Sequence, residues 1–268
     1  MQRWRPSPLL VASAALHLAL PALLAWRPAH WPWLLAALLA DHAVIAAAGL
    51  WPRSALLGAN LTRLPAAAAA RGEVALTIDD GPDPDVTPQL LELLAGQGAR
   101  ATFFCIGARA AEQPQLCAAI RAGGHALENH SQNHRLDFSL LGPRRMAREI
   151  DSAQRTLEAL GGRAPTLFRA PAGLRNPWLD PLLRRRGLRL ATWTRRGFDT
   201  RERDPQRVLR RLCRDLRAGD ILLLHDGHAA RTADGRAVSV AVLPELLAAL
   251  RAAGLRSVPL PQALESVD

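Results

Sequence analysis

Val74-Ala-Leu-Thr-Ile-Asp-Asp-Gly-Pro-Asp83 is a short apolar run that stops abruptly in carboxylates and turn formers. An apolar, β-rich segment of this length, closed by Gly-Pro, reads as a buried strand entering a turn. The same pattern recurs downstream. Runs at 101–106, 124–128, 167–170, 188–194, 220–224 and 256–259 have strand character. Amphipathic stretches of helical length, such as 143–160 and 205–216, lie between most of them, and Gly123-Gly124 and Gly161-Gly162 close helices. About seven alternations of strand and helix predict a parallel α/β unit, either a barrel or an open sheet. From Gly72 onward the unit spans about 195 residues, short of the ~250 of a full eight-unit barrel.

Unusual polar residues gather at the carboxyl ends of these strands. Asp79 and Asp80 end the first; His130 and His134 follow the third. Arg169 and Pro171 end the fourth, Asp199 follows the fifth, and His225 with Asp226 ends the sixth. Parallel α/β folds place active sites at this edge. Each residue also has an ordinary structural explanation. Asp-Asp-Gly-Pro-Asp suits a capped turn, the two histidines suit a solvated helical turn, and His225 suits a satisfied strand end. Their joint placement is what favours chemistry.

Upstream, residues 1–65 differ in kind. Residues 8–25 are apolar apart from Ser13 and His17, and residues 31–50 apart from Asp41 and His42. Each run approaches the ~20 residues that cross a bilayer. Trp26, Trp31, Trp33 and Trp51 stand at the run ends, where indole rings favour the interface. The expected arrangement is a helical hairpin, transmembrane or interfacial, binding membrane lipid; a cleaved signal peptide is the rival for the first run. Arg3 and Arg5 precede the first run and Arg53, Arg63 and Arg71 follow the second, with only Arg27 between. The positive-inside rule then puts the main domain on the cytoplasmic side of the plasma membrane. Residues 66–71, an alanine run, are expected to be a linker, and 72–268 the catalytic domain.

Composition adds little. The net charge of +10 is carried by arginine alone, since the chain has no lysine. No nucleic-acid-binding motif accompanies the charge, so nucleic acid is excluded as a partner. Cys105, Cys117 and Cys213 form no CxxC pair and are expected to be free thiols. The sequence identifies no protein partner.

Five segments resemble, in order, the motifs of the polysaccharide deacetylase family, also called carbohydrate esterase family 4 or the chitooligosaccharide deacetylase family. Thr77-Ile-Asp-Asp-Gly81 is similar to Thr-Phe-Asp-Asp-Gly, and His130-Ser-Gln-Asn-His134 to His-Ser/Thr-x-x-His. Arg169-Ala-Pro-Ala-Gly173 is similar to Arg-x-Pro-Tyr-Gly, residues 193–199 to the fourth motif, and Leu223-Leu-His225 to Leu-x-His. The resemblance covers the chain from Gly72 onward. It implies an irregular (β/α) barrel of fewer than eight units and a metal-dependent hydrolase that removes N-acetyl groups from an amino sugar.

It also implies roles. Asp80, His130 and His134 would bind a divalent metal, with zinc the expected ion. Asp79 would be the general base, paired with and oriented by Arg169. The backbone N–H of Ala172 would face the oxyanion. His225 would protonate the departing amine, supported by Asp199, and Leu223 would line the pocket for the acetyl methyl. Three positions depart from the family pattern. Ile78 and Ala172 replace aromatic residues, and Thr200 stands where tryptophan is frequent. The last two remove ring surface from the expected groove. Three functions follow as alternatives: deacetylation of a poly- or oligosaccharide, deacylation of a lipid-linked amino sugar, or non-catalytic sugar binding. The hairpin and the arginine clusters at 184–186 and 195–196 favour the second; retention of every implied catalytic residue disfavours the third.

Overall fold

The computed structural model describes residues 4–265, so Arg3, part of the charge asymmetry above, lies outside the described residues. Two apolar helices come first, α1 (Pro8–Trp26) and α2 (Trp31–Leu50). Ser7 caps α1 by accepting from the Leu10 N–H. Both are long and apolar enough to cross a membrane. They pack as a hairpin, and Ser13 Oγ donates to Asp41 Oδ2 (2.8 Å) across it, so the carboxylate inside the second run has a partner.

Then follow α3 (Ala66–Ala70), β1 (Glu73–Asp79), α4 (Val86–Ala95), β2 (Ala101–Cys105), α5 (Gly107–Glu112) and α6 (Pro114–Ala122). Next come β3 (Ala126–Asn129), α7 (Pro143–Gly161), β4 (Leu167–Phe168), α8 (Leu179–Arg185), β5 (Arg189–Leu190) and β6 (Arg195–Arg196). The chain closes with α9 (Pro205–Cys213), β7 (Ile221–His225), α10 (Val238–Ala252), β8 (Arg256–Ser257) and α11 (Leu260–Glu265). Helix α7 shows why the segments fold as they do. Pro143 opens it, Met146, Ile150, Ala153 and Leu157 form its buried stripe, and Gly162 ends it in a left-handed cap (φ 66°).

The strands form one parallel sheet in the order β5-β4-β3-β2-β1-β7-β6, with β8 beside β1. It curves as an irregular (β/α) barrel. Of the run expected as one strand at 188–194 only β5 is regular strand; β6 follows just beyond it at the opposite end of the sheet, so eight strands form among the described residues where seven were expected. The physical reason lies at the seam between them. Leu61 exchanges backbone hydrogen bonds with Leu190 and Thr192, while Leu64 N–H donates to Gly219 O and Arg63 bridges to Asp220. Residues 61–64 thus occupy the gap that a closing strand would fill. The stretch 66–71, expected as a linker, contains helix α3, which packs on β1 with Ala68 fully buried.

Strand alternation then sets up the site. Along β1, Val74, Leu76 and Ile78 join the core beneath α4, α9 and α10. Ala75, Thr77 and Asp79 therefore face the barrel interior, as do Ile221, Leu223 and His225 of β7. In register, Asp79 lies directly beside His225. Cys105 and Cys117 are buried, Cys213 half-buried, and all three are free.

Candidate active site

A cavity of about 670 Å³ opens at the carboxyl-terminal end of the sheet. Asp79, Asp80, His130, His134, Ala172, Leu223 and His225 all line it. Arg169 and Asp199 lie beneath, fully buried.

Asp80, His130 and His134 converge. Asp80 Oδ1 is 3.2 Å from His130 Nε2 and 3.2 Å from His134 Nε2. A tetrahedral ion with arms of 2.0–2.1 Å sets its ligands about 3.3 Å apart, so the spacing suits such an ion. The donor set fits too, because one carboxylate and two imidazoles leave positions open. His130 Nδ1 donates to Arg169 O (2.8 Å), which turns Nε2 to the cavity. The histidine loop is held from below. Glu149 accepts from the Asn133 backbone and side chain, and Asn129 Oδ1 accepts from Ser131 N–H. Burial and the neighbouring His130 push His134 down to about 4, leaving a neutral imidazole at pH 7. Burial would raise Asp80, but hydrogen bonds from His130 and His228 hold it well below the usual carboxylate range. Burial would lower His130, yet the Asp79 and Asp80 charges raise it above the ordinary histidine range.

Next to this group, Arg169 NH1 donates to Asp79 Oδ1 (2.6 Å) and Thr77 Oγ1 (2.8 Å). Arg169 NH2 donates to Thr192 O, and the guanidinium lies over the Phe104 ring at 4.1 Å. Asp79 is thereby fixed by one oxygen, while its Oδ2 points toward the metal-type group, 3.9 Å from His130 Nε2. On the far side, His225 Nδ1 bonds Asp199 Oδ1 (2.9 Å), and Asp199 Oδ2 accepts the His225 backbone N–H (2.8 Å). Burial alone would lower His225, but Asp199, with Asp79 and Asp80 behind it, raises it to about 9. The imidazole therefore holds its proton at neutral pH. Ala172 adopts φ 54°, ψ 6° in a tight turn whose hydrogen bonds come from Gly173 and Leu174, so its own N–H is not consumed by them.

Among the described residues, four of the seven non-glycine residues with left-handed backbone line this cavity, Asp80, His134, Ala172 and His228, and Ser131 and Phe198 are on the loops that carry its lining. Such conformations cost on the order of 1 kcal/mol each and persist where the surroundings impose them. Two residues absent from the sequence reading belong to the site. His228 Nδ1 faces Asp80 Oδ2 (3.1 Å), and Arg109 reaches both His228 Nε2 (3.1 Å) and Asp80 O (2.8 Å). Because Arg109 can only donate, His228 Nε2 accepts and its Nδ1–H points at Asp80. A histidine three residues past His225, behind a glycine, was the only available signal. Most of the arginines in the two clusters form ion pairs within the chain. Arg184 pairs with Asp180, Arg186 with Asp151 and Arg195 with Asp220, while only Arg196 reaches the cavity.

The sequence profile of polysaccharide deacetylases matches residues 66–191. A peptidoglycan-N-acetylglucosamine deacetylase of Bacillus cereus is 33% identical over 193 residues, covering 71% of this chain and 87% of the relative. A chitooligosaccharide deacetylase of Azorhizobium caulinodans is 34% identical over 201 residues, covering 71% and 94%. Among solved structures, a family 4 carbohydrate esterase from Streptomyces lividans in complex with acetate superposes with a TM-score of 0.63. It is 33% identical, and the match covers 69% of this chain and 91% of that one.

Proposed function

This chain belongs to the polysaccharide deacetylase family, and from that membership and the cavity's geometry we propose that it is a metal-dependent hydrolase removing N-acetyl groups from an amino sugar. The observation that carries the reading is one cavity wall bearing three functions side by side. A metal-type triad lies between an arginine-held carboxylate and a carboxylate-held histidine.

Asp80, His130 and His134 would hold the ion, which we take to be zinc. When bound, it supplies Lewis acidity, lowering the pKa of a water and polarising the amide carbonyl. Asp79 Oδ2 takes the proton of the attacking water as its oxygen bonds to the carbonyl carbon. Arg169 keeps that carboxylate aimed. The Ala172 N–H donates to the carbonyl oxygen as charge builds there. His225, protonated at neutral pH, gives its proton to the nitrogen as the C–N bond breaks, releasing acetate and the free amine. Asp199 stabilises the imidazolium beforehand. Leu223, on the cavity wall, accommodates the acetyl methyl. Helices α1 and α2 anchor the protein in the plasma membrane, with the barrel on the cytoplasmic side, since arginines flank the base of the hairpin and only Arg27 lies at its tip.

The test is acetate release from N-acetylated chitooligosaccharides by the purified, zinc-loaded protein, with Asp79→Asn as control. Stoichiometric zinc without acetate release from any N-acetyl sugar would make this a sugar-binding protein instead.

A further inference from the structure

We propose that the substrate is an N-acylated amino sugar carried on a membrane lipid through a phosphate group, and that the cavity opens at the bilayer surface to receive it. This rests on the deacetylase reading and on the hairpin lying in the bilayer.

The first observation is where the hairpin meets the barrel. Both of its ends are fastened to the loop between β4 and α8 and to the start of α8. Gly49 O, at the end of α2, accepts from Arg175 N–H (3.1 Å), and the Arg175 side chain reaches back to Ser54 O. Trp4 Nε1, ahead of α1, donates to Asp180 Oδ2 (2.8 Å). Pro52 packs so closely on Gly173 that a Cβ there would lie 2.8 Å from the Pro52 Cβ. Gly173 itself lines the cavity. The spans therefore join the barrel at the rim of the site, on the carboxyl-terminal face, rather than at the opposite end. Trp51, Leu56 and Trp178 are exposed on this base, and Leu136, which lines the cavity, is 98% exposed. Apolar side chains left in water at the mouth of a polar site are explained if the mouth meets lipid.

The second observation is charge inside the cavity that the hydrolytic machinery does not use. Arg196 and Arg201 line it, and among the described residues neither has a carboxylate partner. The Arg196 guanidinium is stacked between Trp193 (5.2 Å) and Phe198 (5.1 Å), and its Nε is buried without a hydrogen-bond partner. Holding a planar cation in place by two rings, with donors unspent, prepares it for an anion with several oxygens. A neutral N-acetylglucosamine chain has no such group; a sugar phosphate does. Ala172 and Thr200, both on the cavity wall, carry no ring at the two positions where the family pattern has aromatic residues.

The experiment uses the full chain with zinc in neutral phospholipid vesicles. Three substrates are compared: polyprenyl-phosphate-linked N-acetylglucosamine in the same vesicles, soluble N-acetylglucosamine 1-phosphate, and neutral chitotetraose. The lipid-borne substrate should exceed both others in kcat/KM by at least about 100-fold, from confinement with the site plus the phosphate contact. Arg196→Gln with Arg201→Gln, checked for zinc content and Tm, should cut the ratio of lipid-borne to neutral activity about tenfold. Equal rates on soluble and lipid-borne phosphate would overturn the membrane part. A chitotetraose rate matching the lipid-borne one, with the ratio unchanged in the double variant, would overturn the inference while leaving the deacetylase reading standing. No hydrolysis of any of the three would remove both.

Discussion

Replacing Asp199 by asparagine should convert a pH-tolerant acid into one that fails above neutrality. In the structure both Asp199 oxygens accept, one from His225 Nδ1 and one from the His225 backbone N–H. The backbone group cannot change role, so Asp199→Asn must give it the amide oxygen and turn the NH2 toward Nδ1. That nitrogen then has to accept, and the imidazolium loses both its countercharge and its hydrogen bond. His225 stands at about 9 with Asp199 in place. A return to the ordinary 6.5 or below is worth about 3 kcal/mol in the protonated form. At pH 8 the protonated fraction falls from about nine-tenths to about 3%, so kcat should drop about 30-fold, and the gap should narrow to less than about twofold at pH 6. The assay is kcat for acetate release from pH 6 to 9.5, on wild type and variant at matched zinc content. Stability gives an independent check. The pair's contribution is full below about pH 6.5 and is lost as pH rises through about 9, so the Tm gap should shrink over that window. A wild-type-to-variant ratio that stays flat across the range would refute the acid role and leave Asp199 as a packing residue.

Asp80→Ala, His130→Ala and His134→Ala should each abolish stoichiometric zinc by calorimetry, whereas His228→Ala should weaken zinc about 10–100-fold, since it orients Asp80 from behind. Asp79→Asn should keep zinc and lose about 10²–10⁴ in kcat, measured at saturating substrate. Gly173→Ala should lower Tm and activity together, because Gly173 sits at φ 74° with its added Cβ 2.6 Å from the Trp193 ring. A chain beginning at residue 72 should unfold at lower temperature than one beginning at 59, because only the latter keeps the Leu61 and Arg63 contacts in the seam; equal Tm values by calorimetry would show the seam segment to be dispensable.

Much of the fold was legible because parallel strands here obey two local rules. Apolar runs such as 74–78 are buried on both faces, and Gly-Pro or Gly-Gly punctuation marks their ends. The same logic set Asp79, Asp80, His130, His134, Arg169, Asp199 and His225 at one edge of the sheet, and the structure gathers them around one cavity. What escaped depends on pairing across long separations. Leu61 bonds to residues 190 and 192, and Arg63 to Asp220, with no periodicity at 61–64 to announce it. The break between β5 and β6 follows from that same insertion. His228 and Arg109 became visible only through a left-handed turn and a helix that bring them to Asp80.

The seam imposes an order on how this protein can be made. Its two apolar helices emerge from the ribosome long before the barrel strands, yet residues 61–64 find partners only once 190–192 and 219–220 have been synthesised. Those contacts carry a large loop-closure cost, which makes them late events in folding. Only about ten residues separate Leu50 from Leu61, a reach of at most about 35 Å. Under the proposed membrane anchoring, the last part of the barrel would close against the membrane surface. A slowed or stalled nascent chain would expose an open sheet edge beside the base of the hairpin.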